Sequence, residues 1–153
     1  MLNKIRDRFK TVTAEAHCDG PCGIYDPSSA RIAAEAALSM TKKILDLTPP
    51  AAGDAAAMAS YLNTMSRYVQ IKEEQAHLAK EELLVLWTDY FKPPHLEKYP
   101  NLHTTFWNAA KLCSAVKVEV SLENAEKLMA AIKEIHEIFW ATKDRKVEWY
   151  TAG

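Results

Sequence analysis

Two proline pairs, Pro49-Pro50 and Pro93-Pro94, bracket a long stretch from Asp54 to Phe91 that contains neither proline nor glycine. Proline lacks a backbone N–H and clashes with the preceding helical turn, so helices stop beside such pairs. Between the pairs, Met58, Leu62, Met65 and Val69 begin an apolar stripe, and Ala76, Ala79, Leu83 and Leu86 continue it. Three- and four-residue spacing puts these side chains on one helical face. At 1.5 Å per residue such a helix would run roughly 50 Å, long enough to carry a kink or break. A chain built on one such rod buries its stripe by laying other helices along it.

Three further stripes supply them. Ala33, Ala37, Met40, Ile44 and Leu47 precede Thr48-Pro49-Pro50, with Asp26 as the expected helix cap and Pro27 as first helical residue. Leu102, Phe106, Ala109, Cys113 and Val116 form the next, and Ala125, Leu128, Ile132, Ile135 and Phe139 the last, capped by Ser121. The intervening HLEKYPN reads as an ordered connection, and the strand-like VKVEV is too short to outweigh its helical neighbours. Only four of the 153 residues are glycine, which suits helices throughout. These features predict one all-α domain, a four-helix bundle over residues 28–153.

The totals narrow the function. A formal net charge of −1 provides no basic footprint for nucleic acid. No apolar run approaches the roughly 20 residues of a membrane span. Three cysteines cannot all pair within one chain, so a disulfide framework explains them poorly.

Residues 1–16, MLNKIRDRFKTVTAEA, differ in character from the rest of the chain. Leu2, Ile5, Phe9 and Val12 give a short helix an apolar face, and Lys4, Arg6, Arg8 and Lys10 decorate its other sides. Ala14-Glu15-Ala16 resembles a secretory cleavage site, but the apolar block of roughly 7–15 residues that such signals need is missing. Absence of an export signal favours the cytoplasm. Either this helix stays attached as a docking element, or it is a leader removed inside the cell.

Residues 17–27, HCDGPCGIYDP, carry the chemistry. Cys18 and Cys22 lie four apart, with Gly20 and Pro21 favouring a tight bend between them. Thiolates are soft ligands for transition metals. A zinc site would need a second ligand pair, and a radical-type iron–sulfur site a cysteine where Tyr25 stands. Cleavage before His17 changes the donor count. It frees an α-amine, which with the His17–Cys18 amide nitrogen and two thiolates makes a planar N2S2 set, the His17 imidazole reaching an axial position. Such a set suits Ni(II) or Cu(II) and supports one-electron cycling. On spacing alone, an ordinary cysteine-bearing loop remains open as well.

This hook resembles the HCxxPCGxYxP N-terminus of the nickel-dependent superoxide dismutases. The resemblance extends through LWTDYFKPPHLEKYP at 86–100 and IFWATK at 138–143, and covers nearly the whole body from His17 onward. It implies a leader removed by a dedicated peptidase, a homohexamer of four-helix bundles, and one nickel ion per processed subunit. The ligands it implies are His17 (amine and, when oxidised, imidazole), Cys18 (amide and thiolate) and Cys22 (thiolate). Tyr25 matches a tyrosine that screens the open face of the metal. Asp19, Tyr90 and Lys92 match residues near the substrate approach, and Gly20–Pro21 a cis peptide bond. The implied reaction is ping-pong. Superoxide first reduces Ni(III) and leaves as dioxygen, then a second superoxide takes that electron with two protons to give hydrogen peroxide.

Two positions depart from the family pattern. Ala33 stands where a glutamate supports the axial imidazole, and Gln75 where an arginine partners it; Glu35, Glu73, Glu74 and Gln75 itself are the candidate substitutes. His77, His95, His103 and His136 share no metal-ligand spacing, and Cys113 on its apolar stripe reads as a small buried hydrophobe. Lys80-Glu81-Glu82 reads as a solvated face; Trp87, Tyr90, Phe91 and Tyr99 suit packing as well as function. Two other classes stand beside the dismutase: a nickel- or copper-binding storage or delivery protein without turnover, and a helical adaptor with incidental cysteines.

Overall fold

The structure is a computed structural model that describes residues 23–153. The leader helix, His17, Cys18, Asp19, Cys22 and the Gly20–Pro21 bond lie outside the described residues. Within them the fold is all-α: α1 (Ser28–Asp46), α2 (Ala55–Val85), a π-helical turn (Leu86–Tyr90), the short α3 (Pro93–Lys98), α4 (Leu102–Val118) and α5 (Leu122–Thr142). The four long helices close a ring in which α1 packs on α2, α2 on α4, α4 on α5 and α5 on α1. Neighbours run antiparallel. Ser29 at the start of α1 bonds Glu82 near the end of α2, and Lys80 of α2 bonds Ser114 of α4. The predicted bundle is present.

The two C-terminal stripes are buried as expected. Leu102, Phe106, Ala109, Cys113 and Val116 meet Ala125, Leu128, Ile132, Ile135 and Phe139 in one core. Ser121 Oγ accepts the Asn124 N–H at 3.2 Å, so the expected cap is formed. At α1 the cap shifts by one residue. Asp26 Oδ1 accepts the Ser28 N–H at 2.8 Å, while Pro27, itself buried, is the cap and gives its carbonyl to the Arg31 N–H. HLEKYPN is partly helical, as α3, and VKVEV is the end of α4 followed by an extended link.

The long stripe divides in two. Ala76, Ala79, Leu83 and Leu86 are buried, but Met58 and Leu62 are 37% and 56% exposed. The reason is length. Lys72 marks where α4 ends, and the turns of α2 before it, roughly 25 Å of helix, run past α4 with α1 as their main neighbour. The expected break also has a definite form: α2 ends in the π-helical turn, closed by Phe91 N–H to Leu86 O at 3.3 Å.

Lys72 holds the two halves of the bundle in register. It is 2% exposed, and its Nζ donates to the carbonyls of Val116 (2.6 Å), Lys117 (2.8 Å) and Glu119 (3.1 Å). Those oxygens lie at the C-terminal end of α4, where a cation is favourable. Burial holds the Lys72 pKa below the usual lysine value, opposed by the neighbouring Glu73 carboxylate. Beyond α5, residues 144–153 fold back as a strap. His136 Nε2 donates to Val147 O at 2.9 Å, the Arg31 guanidinium lies 4.3 Å from the Tyr150 ring centre, and Glu35 accepts the N–H groups of Ala152 and Gly153.

Replacing Lys72 by Met leaves buried carbonyls without donors, and is expected to cost about 1–3 kcal/mol in urea unfolding. Phe106→Ala, a cavity in the main core, is expected to cost about 3–5 kcal/mol by the same measurement.

Candidate active site

The first described residues lead straight into an aromatic cluster. Gly23 has φ +65°, a left-handed backbone that glycine adopts without a Cβ penalty. Two residues on, the Tyr25 ring lies 5.6 Å from that of Tyr90. Tyr90 sits on the last position of the π-helical turn, and its ring is held on several sides. Phe139 lies at 4.5 Å, Phe91 edge-on at 5.0 Å, and His95 nearly parallel at 5.6 Å between ring centres. The Tyr90 hydroxyl lies 2.6 Å from Thr142 Oγ1, and Lys143 Nζ stands 5.2 Å from the Tyr90 ring centre.

Of the site residues named from the sequence, the structure therefore brings Tyr25 and Tyr90 together. Lys92 is exposed and follows Tyr90 by two residues; its backbone N–H donates to His95 Nδ1 at 3.0 Å. That bond leaves the proton of a neutral His95 on Nε2. Asp19 and the three ligand residues lie outside the described residues. The sequence reading missed His95, Thr142 and Lys143 as neighbours of Tyr90. Each falls in a stretch that carries the resemblance, KPPHLEKYP or IFWATK, but neither stretch says which of its side chains face inward.

The other polar candidates have their own partners. His77 faces Glu81 on the surface, His103 accepts from the Trp87 indole, and His136 holds the strap. Ala33 is 1% exposed, turned into the core. Glu35 is engaged on both oxygens, by Arg31 on one and by the strap's N–H groups on the other, and Glu74 accepts from Gln70. Glu35 is thus already committed within the chain. Among the described residues, no group of three or more His, Cys, Asp or Glu is arranged to hold a metal ion. Cys113 is buried, and desolvation pushes its thiol up to about 12, with Lys80 pulling the other way. A thiol held protonated is a poor ligand.

The donor chemistry of residues 17–22 fits nickel: two thiolates, with an amine and an amide nitrogen once His17 is the first residue. A family profile described as nickel-containing superoxide dismutase matches residues 12–143, spanning the hook, the π-helical turn and α5.

The chain belongs to that family.

Among curated relatives, superoxide dismutase [Ni] of Streptomyces seoulensis is 45% identical over 132 residues, covering 86% of this chain and 92% of that protein. The Streptomyces coelicolor protein of the same name is 42% identical with the same coverage. A crystal structure of Ni-containing superoxide dismutase, with nickel ligation corresponding to the oxidised state, superposes with a TM-score of 0.72 at 43% identity. It covers 84% of this chain and 100% of its own. A native nickel superoxide dismutase structure gives 0.72 at 40% identity with the same coverage. The profile match stops at Lys143, so the strap lies beyond the matched part.

Cys113 is expected to resist a thiol reagent such as DTNB in the folded chain and to react only on unfolding. Cys113→Ala is expected to leave bound nickel per chain unchanged, measured by elemental analysis.

Proposed function

We infer that this protein is a superoxide dismutase, converting two superoxide anions and two protons to dioxygen and hydrogen peroxide. The single observation that carries this is the family match from residue 12 to 143, which includes every member of the hook's donor set. Nickel held by these residues would supply the one-electron redox chemistry, as a Ni(II)/Ni(III) couple. A storage or delivery role uses the same ligands, but the family and its curated members are dismutases.

We propose His17, Cys18 and Cys22 as the ligands, with residues 1–16 removed by a dedicated peptidase so that the His17 amine is free. Residues 17–27 are then the metal hook and 28–153 the bundle that carries it. Tyr25 screens the metal, and Asp19, Tyr90 and Lys92 border the approach of superoxide. The contact between Tyr25 and Tyr90 supports this reading, because it puts the root of the hook against the aromatic cluster. The ammonium of Lys92 favours an anion nearby. Neither tyrosine needs to bind superoxide tightly, since each half-reaction moves only one electron. Their role is to shape a narrow approach that keeps larger oxidants from the thiolates, which peroxide can oxidise.

The working form is proposed to be a homohexamer. Leu45, Met58, Leu62 and Ile71 are exposed on the α1–α2 projection, an apolar surface that a single chain leaves uncovered. No helix among the described residues is long and apolar enough to cross a membrane, and the cytoplasm is the proposed location.

Intact mass, N-terminal sequencing and metal analysis test the reading together. The expected result is one nickel per chain beginning at His17, with turnover lost in Cys18→Ser and in Cys22→Ser. An active protein that retains Met1 would refute the processing step, and nickel bound without turnover would favour storage.

A further inference from the structure

The hydroxyl of Tyr90 has one proton, and the structure shows where it goes. Thr142, the last residue of α5, is 2.6 Å from Tyr90 through its Oγ1 and also 2.6 Å from the carbonyl oxygen of Phe139. A carbonyl carries no proton, so the short contact to Phe139 O requires the threonine to donate its single hydrogen there. Thr142 then has only lone pairs to offer Tyr90. Tyr90 must be the donor in that pair.

Among the described residues, the surroundings hold the ring and leave the hydroxyl proton to be placed. Phe139, Phe91 and His95 fix the plane of the Tyr90 ring, and Lys143 lies over its face. What remains is rotation about the C–O bond, and Thr142 stops it. The threonine is itself held, because Phe139 O is one of the carbonyls near the end of α5 that a helix leaves without an intrahelical partner.

We infer that Thr142 is a positioning residue for the dismutation: it draws the Tyr90 proton toward α5, so that Tyr90 presents only an acceptor lone pair to the approach beside the hook. This rests on the reading that Tyr90 borders that approach. An oxygen of this kind orders a neighbouring donor, whether a water or another O–H or N–H group. It does not itself deliver a proton to the departing peroxide, which receives its protons from another group. Without Thr142 the hydroxyl turns freely and the ordered acceptor is lost.

Thr142→Val removes the hydroxyl at nearly constant volume, and Thr142→Ser keeps it. In processed, nickel-loaded protein, Thr142→Val is expected to lower kcat/KM by about 2- to 10-fold, the loss of one ordinary hydrogen bond, at unchanged nickel per chain. Thr142→Ser is expected to restore the rate. In a Tyr90→Phe background, Thr142→Val is expected to add no further loss, whereas damage to the end of α5 would be additive. A readout independent of turnover is the Raman doublet of tyrosine, sensitive to whether the phenol donates or accepts. The Tyr90 contribution, isolated by difference against Tyr90→Phe in metal-free protein, is expected to be donor-type in the wild type and to lose that character in Thr142→Val. If Thr142→Val does not fold, Thr142→Ala carries the same comparison.

Wild-type rate in Thr142→Val alongside a slow Tyr90→Phe would overturn this inference and leave the site reading standing. So would an equal loss with and without Tyr90, or an acceptor-type Tyr90 in the wild type. Wild-type rate in Tyr90→Phe would overturn the site reading, and the inference with it.

Discussion

How closely α1 can approach its neighbours governs the rest of the molecule. Ala30, Ala33, Ala34 and Ala37 are all buried, at 1% exposure or less, so α1 meets α2 and α5 through methyl groups. Small side chains bring helix axes to the short end of the usual 8–10 Å range. The close approach seats Pro27 in the protein, and Tyr25 just before it lies against Tyr90 at the end of the bundle. The start of the described chain is thereby fixed by ordinary core packing. The same economy of volume applies at position 33, where a carboxylate facing the core would need a partner that the alanine does not.

The second determinant is the π-helical turn. A regular α-helix continued through Tyr90 would advance each side chain by a fixed rotation, whereas a wider turn shifts the residues after it around the axis. Leu86 and Phe91 both remain in the core across this turn, while Tyr90 stays partly exposed at the edge of the cluster. Thr88 Oγ1, within this turn, donates to the Leu84 carbonyl at 2.8 Å. Pro93 and Pro94 then force the chain out of the helix and into α3, which brings His95 under the Tyr90 ring. A cluster of rings from the π-helical turn and its end, α3 and α5 results, with Tyr25 against Tyr90.

The strap shows how a segment beyond the family match can occupy groups inside it. Arg31 and Glu35 form an i,i+4 ion pair on α1, with Arg31 only 4% exposed. Tyr150 covers the guanidinium and the backbone of Ala152 and Gly153 satisfies the carboxylate. The pair is therefore solvated by protein, a condition under which a buried charge is tolerated. The strap thereby braces α1, the helix that follows Tyr25 in the chain.

Sequence alone determined the number of long helices, most of the faces they bury and the proline stops between them, and it supplied the chemistry from which a nickel donor set is proposed at His17, Cys18 and Cys22. Periodicity and ligand chemistry are local properties, written in residues a few positions apart. The ends of those patterns were less legible. The stripe at Met58 and Leu62 has the same spacing as that at Ala76 and Leu83, but only the second has α4 beside it, because burial depends on where a partner helix stops. Lys72 gave no signal of its role, since the carbonyls it binds belong to a turn 44 to 47 residues further along the chain. The ring of groups around Tyr90 was hidden for the same reason. His95, Thr142 and Lys143 become its neighbours only when α3 and the end of α5 are packed against the π-helical turn, and the direction of its hydroxyl proton comes from a contact that no spacing in the chain encodes.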